Sequence, residues 1–197
     1  MTRTFIALDM IEEQQRFLGS VIERAARDLP SLRWVNPAGI HLTLAFLGEL
    51  DDERLALAME AARVTAQNFS PFTYRLKGLG VFDSRKQARV IWMGVEDSPS
   101  PDVQGSPLQA LHSGLNRELS RRGFEVEARP FSPHLTLARI KTALTAQEQQ
   151  ALTRLLQSSQ AATTSQAYSA RSLFVMKSDL SSRSARYTCL KAYDFRQ

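Results

Sequence analysis

His41-Leu42-Thr43-Leu44-Ala45 recurs unchanged at His134-Leu135-Thr136-Leu137-Ala138. The chain holds only three histidines in 197 residues, and two of them open these copies. Read as strands, the first copy places His41, Thr43 and Ala45 on one face, with Leu42, Leu44 and Phe46 on the other. The second sets His134, Thr136 and Ala138 against Leu135 and Leu137. Each strand is therefore expected to bury leucines in a core and to present an imidazole, a hydroxyl and a small methyl to a ligand.

The flanking sequence supplies an alternating framework. Thr2–Leu8 reads as a strand, and Ile11 to Leu29 as a helix stopped by Pro30. A turn at Asn36-Pro37-Ala38-Gly39 leads into the first motif strand, which ends at Gly48. A helix from about Asp51 to Gln67 follows, then strands over Phe72–Phe82 and Arg89–Val95 joined through Asp83-Ser84-Arg85-Lys86. Glu96 to Ser106, with two prolines and a glycine, reads as a loop. Beyond it come a helix from Pro107 to Arg122 with Gly123 as C-cap, and the second motif strand over Phe131–Ile140. Thr145 and Glu148 form a capping box for a helix reaching Leu156. A loop over Gln157–Gln166 precedes strands at Ala167–Lys177 and Arg186–Tyr193. Each half thus offers a helix, a His-x-Thr strand, a helix and further strands. The expectation is an α+β fold: a single bilobal domain over residues 1–197. Its two lobes, of mainly antiparallel sheet with helices packed outside, are related by an approximate two-fold across a cleft.

Composition narrows the function classes. No apolar stretch approaches the ~18–20 residues of a membrane span, and the N-terminal apolar run, closed by Asp9, is too short for a signal peptide. A lone cysteine, Cys189, cannot form an internal disulfide, so a reduced, cytoplasmic setting is expected. Cys189 itself reads as a buried, inert thiol. The formal charge of +5 is carried by scattered residues: Arg24, Arg27, Arg33, Arg85, Lys86, Arg89, Arg121, Arg122, Arg139, Arg171, Arg183 and Arg186. That pattern suits an anionic ligand, and equally suits a solvated basic surface.

Two converging imidazoles suit displacement at phosphorus. One takes the proton of the entering oxygen and the other gives a proton to the leaving oxygen; a pKa of ~6.5 lets both states coexist near neutrality. The threonine hydroxyls can donate to the non-bridging oxygens. A single His-x-Thr would read as a sheet histidine, but two identical copies favour chemistry. Zinc normally takes three or more protein ligands, and no third ligand accompanies the pair, so neither a metal nor another cofactor is expected. His112 lies at helical spacing with Leu108, Leu111, Leu115 and Leu119 and is expected to pack against the core.

With both motifs in place, the chain resembles the 2H phosphoesterase superfamily, and within it the RNA 2′,3′-cyclic phosphodiesterases, also known as 2′–5′ RNA ligases. The likeness covers almost the whole length. It includes Arg3-Thr4-Phe5-Ile6-Ala7-Leu8, Arg33-Trp34-Val35, His41 through Gly48, Gly78-Leu79-Gly80-Val81-Phe82, Val90 through Val95, Phe131 through Arg139 and Arg186-Tyr187-Thr188. The resemblance implies metal-independent opening of a 2′,3′-cyclic phosphate on an RNA end, or on a small cyclic nucleotide, to leave a 2′-phosphate. It implies His41 as proton donor, His134 as proton acceptor, and Thr43 and Thr136 as phosphate ligands. Arg139 matches a family arginine that contacts the same phosphate, although strict alternation points it away from His134 unless the strand twists or bulges. Trp34 and Phe82 are candidates to stack a terminal base or to pack, and Phe46 is assigned to the core. The Glu96–Ser106 loop is longer and richer in proline than the family pattern, and its place between the two motifs is expected to let it shape substrate access. A monomer is expected. The competing activities are RNA ligation, the same chemistry reversed with a 5′-hydroxyl in place of water, and a nucleotide- or RNA-binding module without turnover.

Overall fold

The computed structural model describes residues 1–84, 87–99, 103–162, 164–180 and 185–196. Arg85, Lys86 and Arg183, and parts of the loops expected at 96–106 and 157–166, lie outside the described residues. The chain runs β1 (Thr2–Asp9), α1 (Glu12–Asp28), β2 (Arg33–Trp34), a 3₁₀ turn (Pro37–Gly39), β3 (His41–Leu50), α2 (Asp52–Gln67), β4 (Phe72–Ser84) and β5 (Gln87–Asp97). It continues through α3 (Pro107–Arg121), β6 (His134–Arg139), α4 (Ala146–Ala162), β7 (Tyr168–Ala170), β8 (Ser172–Leu180) and β9 (Ala185–Asp194).

Local chemistry sets the element ends. The Asp51 carboxylate accepts from the Arg54 amide at 2.8 Å to start α2, and the Ser106 hydroxyl accepts from Gln109 at 3.1 Å to start α3. Gly123, at φ +74°, closes α3 in a conformation that a Cβ disfavours. The Thr145 capping box forms, with the Glu148 carboxylate accepting from the Thr145 amide at 2.8 Å. Hydrogen bonds from Ser31 first, then from Thr145, hold the Glu148 carboxyl below its ordinary pKa. The helix it starts is longer than expected. It runs through Gln157 and Ser158 to Ala162, because that polar stretch contains no glycine or proline to stop it.

Two antiparallel sheets result, ordered β3-β1-β8-β9 and β2-β6-β5-β4-β7. The lobes are therefore not the two halves of the sequence. The first sheet takes β8 and β9 from the C-terminal half, and the second takes β4 and β5 from the N-terminal half. Helix α2 lies against the first sheet with α3 beside it, and α4 lies against β4 with α1 beside it. One cluster of buried side chains joins both sheets: Ile6, Leu8, Leu42 and Val175 from the first meet Leu76, Met93 and Leu135 from the second, with Leu108 and Leu111 of α3. Burying such aliphatic side chains is worth about 1.5–3 kcal/mol each, so this shared core holds the two motif strands in fixed relation.

Two other assignments change. Cys189 is exposed, because it lies on the edge strand β9, where a bulge at Leu190 interrupts alternation. None of the described residues of the Glu96–Ser106 loop lines the cavities at the motif strands. Its ends are tied down instead, the Asp97 carboxylate accepting from the Ser106 hydroxyl at 2.8 Å and from the Leu108 amide at 2.7 Å.

Candidate active site

The motif strands β3 and β6 belong to different sheets and contact each other. Around their junction, His41, Thr43, His134, Thr136 and Arg139 line one cavity of about 90 Å³, together with Tyr187 and Gly39. Both leucines of each motif before the final alanine, Leu42, Leu44, Leu135 and Leu137, are buried. Apolar burial on one side of each strand thus turns the imidazoles and hydroxyls toward a common space.

Each imidazole is held in the same way. His41 Nδ1 lies 3.0 Å from the carbonyl of Gly39, and His134 Nδ1 lies 2.7 Å from the carbonyl of Ser132. A carbonyl oxygen only accepts, so each Nδ1 carries the proton and donates, and proton exchange with a ligand falls to Nε2. Aromatic rings fix the planes. His41 stacks on Phe5 at 4.5 Å and meets the edge of Tyr187 at 4.7 Å. His134 meets Phe82 edge-on at 4.7 Å and Trp92 at 6.5 Å. Gly80 makes the second arrangement possible: a Cβ there would lie 2.2 Å from the Trp92 ring, so only glycine lets the indole cross β4.

Arg139 joins the cavity through a bulge. Ile91 pairs with Ala138 and Trp92 with Thr136, which leaves Leu137 as an extra residue in β6. One inserted residue reverses the facing of all that follow. Arg139 therefore turns to the Thr136 side, and Ala138, expected on the polar face, is fully buried. The same bulge occurs in β3, where Ile6 pairs with Ala45 and Ala7 with Thr43, leaving Leu44 extra. A further bulge at Leu47 follows. Phe46, assigned to the core by alternation, is accordingly 55% exposed and carries the Arg3 guanidinium 4.7 Å from its ring centroid.

A wider groove of about 440 Å³ adjoins the cavity and shares Thr43 and His134 with it. Phe46, Phe82, Phe131, His112 and Asn116 line it, and Glu125 and Glu127 add carboxylates. Phe82 thus both supports His134 and faces the groove. Trp34 does neither. Its indole packs against two core clusters and donates to the Leu29 carbonyl at 3.1 Å, so the ring serves packing rather than ligand stacking. His112 is not a core residue either: it stacks flat on Phe131 at 4.1 Å and borders the groove. The supporting rings Phe5, Trp92 and Tyr187 escape sequence reading, since only strand register brings them to the histidines.

Two antiparallel sheets that bring two His-x-Thr strands together define the fold class, and comparison with known proteins gives the family. The sequence model of the 2′-5′ RNA ligase superfamily matches residues 15–181, and the chain belongs to that family. It is 35% identical over 139 residues to an RNA 2′,3′-cyclic phosphodiesterase of Thermotoga maritima, covering 71% of this chain and 70% of that one. It is 30% identical to the protein of that name from Methanothermobacter thermautotrophicus, covering 71% of each. Among solved structures, E. coli LigT complexed with 3′-AMP superposes with a TM-score of 0.71 at 25% identity, over 100% of this chain and 99% of that one. TT0787 of Thermus thermophilus shares the fold, with a TM-score of 0.76 at 23% identity over 98% of each chain.

Proposed function

We propose that this protein hydrolyses the 2′,3′-cyclic phosphate of RNA 3′ ends to a 2′-phosphate. The observation that carries the reading is the convergence of two imidazoles, each anchored through Nδ1, with two threonine hydroxyls and a guanidinium around one small cavity. The relatives' names supply the substrate class.

In this mechanism His134 Nε2 takes a proton from water as its oxygen bonds to phosphorus. His41 enters the step doubly protonated and gives its Nε2 proton to the 3′-oxygen as the P–O3′ bond breaks, and the phosphate stays on O2′. Thr43, Thr136 and Arg139 donate to the non-bridging oxygens as charge gathers there. Two imidazoles and two hydroxyls stand beside a fixed guanidinium, a set that suits a phosphate anion better than a metal ion. The adjoining aromatic groove has room for the terminal nucleoside, with Phe46 and Phe82 as its rings. Residues 1–197 act as one bilobal unit, a reading supported by the core shared between the sheets, and the proposed unit works as a monomer. Among the described residues no helix is long and apolar enough to cross a membrane, and a cytoplasmic setting fits an RNA substrate.

The test is a defined oligonucleotide ending in a 2′,3′-cyclic phosphate, incubated with the protein with and without chelator. The 2′-phosphate is expected at the same rate in both. Accumulation of the 3′-phosphate, or loss of turnover on chelation, would count against this mechanism.

A further inference from the structure

We propose that one face of α3, carrying Gln109, His112 and Asn116, is a positioning device for His134. The two anchoring carbonyls are themselves held by different means. Gly39, which holds His41, belongs to a 3₁₀ turn closed on itself: the Asn36 side chain accepts from the Ala38 amide at 3.1 Å, and the Ile40 amide donates to the Pro37 carbonyl at 3.1 Å. Ser132, which holds His134, lies near the end of a stretch over 124–133 that forms neither helix nor strand. Among the described residues no backbone hydrogen bond closes this stretch on itself. The hold on it comes from outside.

Helix α3 does so at two points on the residue next to Ser132. Gln109 Nε2 donates to the Phe131 carbonyl at 2.9 Å, and the Phe131 ring lies on the His112 ring at 4.1 Å with 4° between planes. Asn116, one helical turn further, lies 3.2 Å from His112 Nε2 and holds that imidazole in plane. Residues 109, 112 and 116 follow helical spacing, so a single face grips both backbone and side chain of Phe131. With Phe131 held, the Ser132 carbonyl stays 2.7 Å from His134 Nδ1 and fixes the tautomer that leaves Nε2 to act. His112 is thus a positioning residue, two contacts from the reacting atoms. Its catalytic consequence rests on the function proposed above; its effect on the His134 ring does not.

The experiment is ¹⁵N NMR of the imidazoles in the full chain, paired with steady-state kinetics. In the wild-type protein His134 is expected as a single Nδ1–H tautomer. His112→Ala is expected to give a mixture of tautomers and a kcat reduced roughly ten- to hundredfold, with His41 signals unchanged. His112→Phe keeps a flat ring under Phe131 and is expected to restore both readouts. Gln109→Leu, a change at an exposed residue, gives a smaller shift in the same direction and serves should His112→Ala fail to fold. An unchanged His134 tautomer in His112→Ala and Gln109→Leu would overturn the inference, as would a His112→Phe variant that behaves like His112→Ala. If the wild-type protein opens no cyclic phosphate while the His134 ring still loosens in His112→Ala, the proposed function fails and this inference stands.

Discussion

Leu44 and Leu137 hold the same place in two copies of one bulge. Each is the unpaired residue directly after its motif threonine, and each reverses the facing of its strand beyond that point. Five residues after the motif histidine, the two copies then diverge: Arg139 reaches the small cavity, while Phe46 faces the groove. The two imidazoles therefore share their anchoring and their bulge but not their neighbours, with a guanidinium beside one space and an aromatic ring beside the other.

Arg139 is the first point of test. A guanidinium beside developing phosphate charge is expected to contribute on the scale of a preorganised donor, so Arg139→Ala should lower kcat/KM by roughly 10²–10³. Arg139→Lys should recover only part, because an ammonium lacks the planar fork. Steady-state rates on a cyclic-ended oligonucleotide measure both; full activity in Arg139→Ala would remove the residue from the site.

Phe46 and Trp34 should separate cleanly. Base stacking on an aromatic ring is worth about 1–3 kcal/mol, so Phe46→Ala should raise KM about tenfold while kcat holds. Trp34→Phe loses the hydrogen bond to Leu29 and should lower the melting temperature while leaving KM alone. The reverse pattern would mean that the groove is not where the nucleoside lies.

The roles of the two imidazoles can be told apart with sulfur at the 3′-bridging position. A thiolate leaves without a proton, so His41→Ala should regain most of its activity on that substrate and His134→Ala none. Recovery by His134→Ala instead would exchange donor and acceptor.

Stability should fall on acidification through His112. Burial holds its pKa below the ordinary 6.5, partly opposed by the Glu127 carboxylate. With the folded value depressed, the unfolded chain binds the proton first. Stability is then full above 6.5 and declines as pH falls below it, toward the folded value. Melting curves between pH 8 and pH 5, for wild type and His112→Phe, check this: the variant should decline less.

Much of this site was legible in the sequence because its signal is local. A repeated pentapeptide, alternation and the leucine face suffice to put His41, Thr43, His134 and Thr136 around one space. What was hidden depends on pairing. A bulge is a register event between strands, so Arg139 on the site face and Phe46 in the groove could not be read from alternation, which predicted the opposite for both. Strand exchange between the sheets, and the rings of Phe5, Trp92 and Tyr187 around the histidines, likewise follow from register. His112 misled for another reason: its leucine-rich helix face suggested core, but Phe131 and the groove border it instead.

In the proposed mechanism two imidazoles share one displacement. Single-turnover cleavage of a 2′,3′-cyclic-ended oligonucleotide by wild type, His41→Ala and His134→Ala decides it, with circular dichroism to show that each variant is folded. Each substitution should slow 2′-phosphate formation roughly 10²–10⁴-fold, and the bell-shaped pH dependence of wild-type kcat/KM should lose one limb in each variant. A folded variant of either kind that retains wild-type turnover would contradict the account.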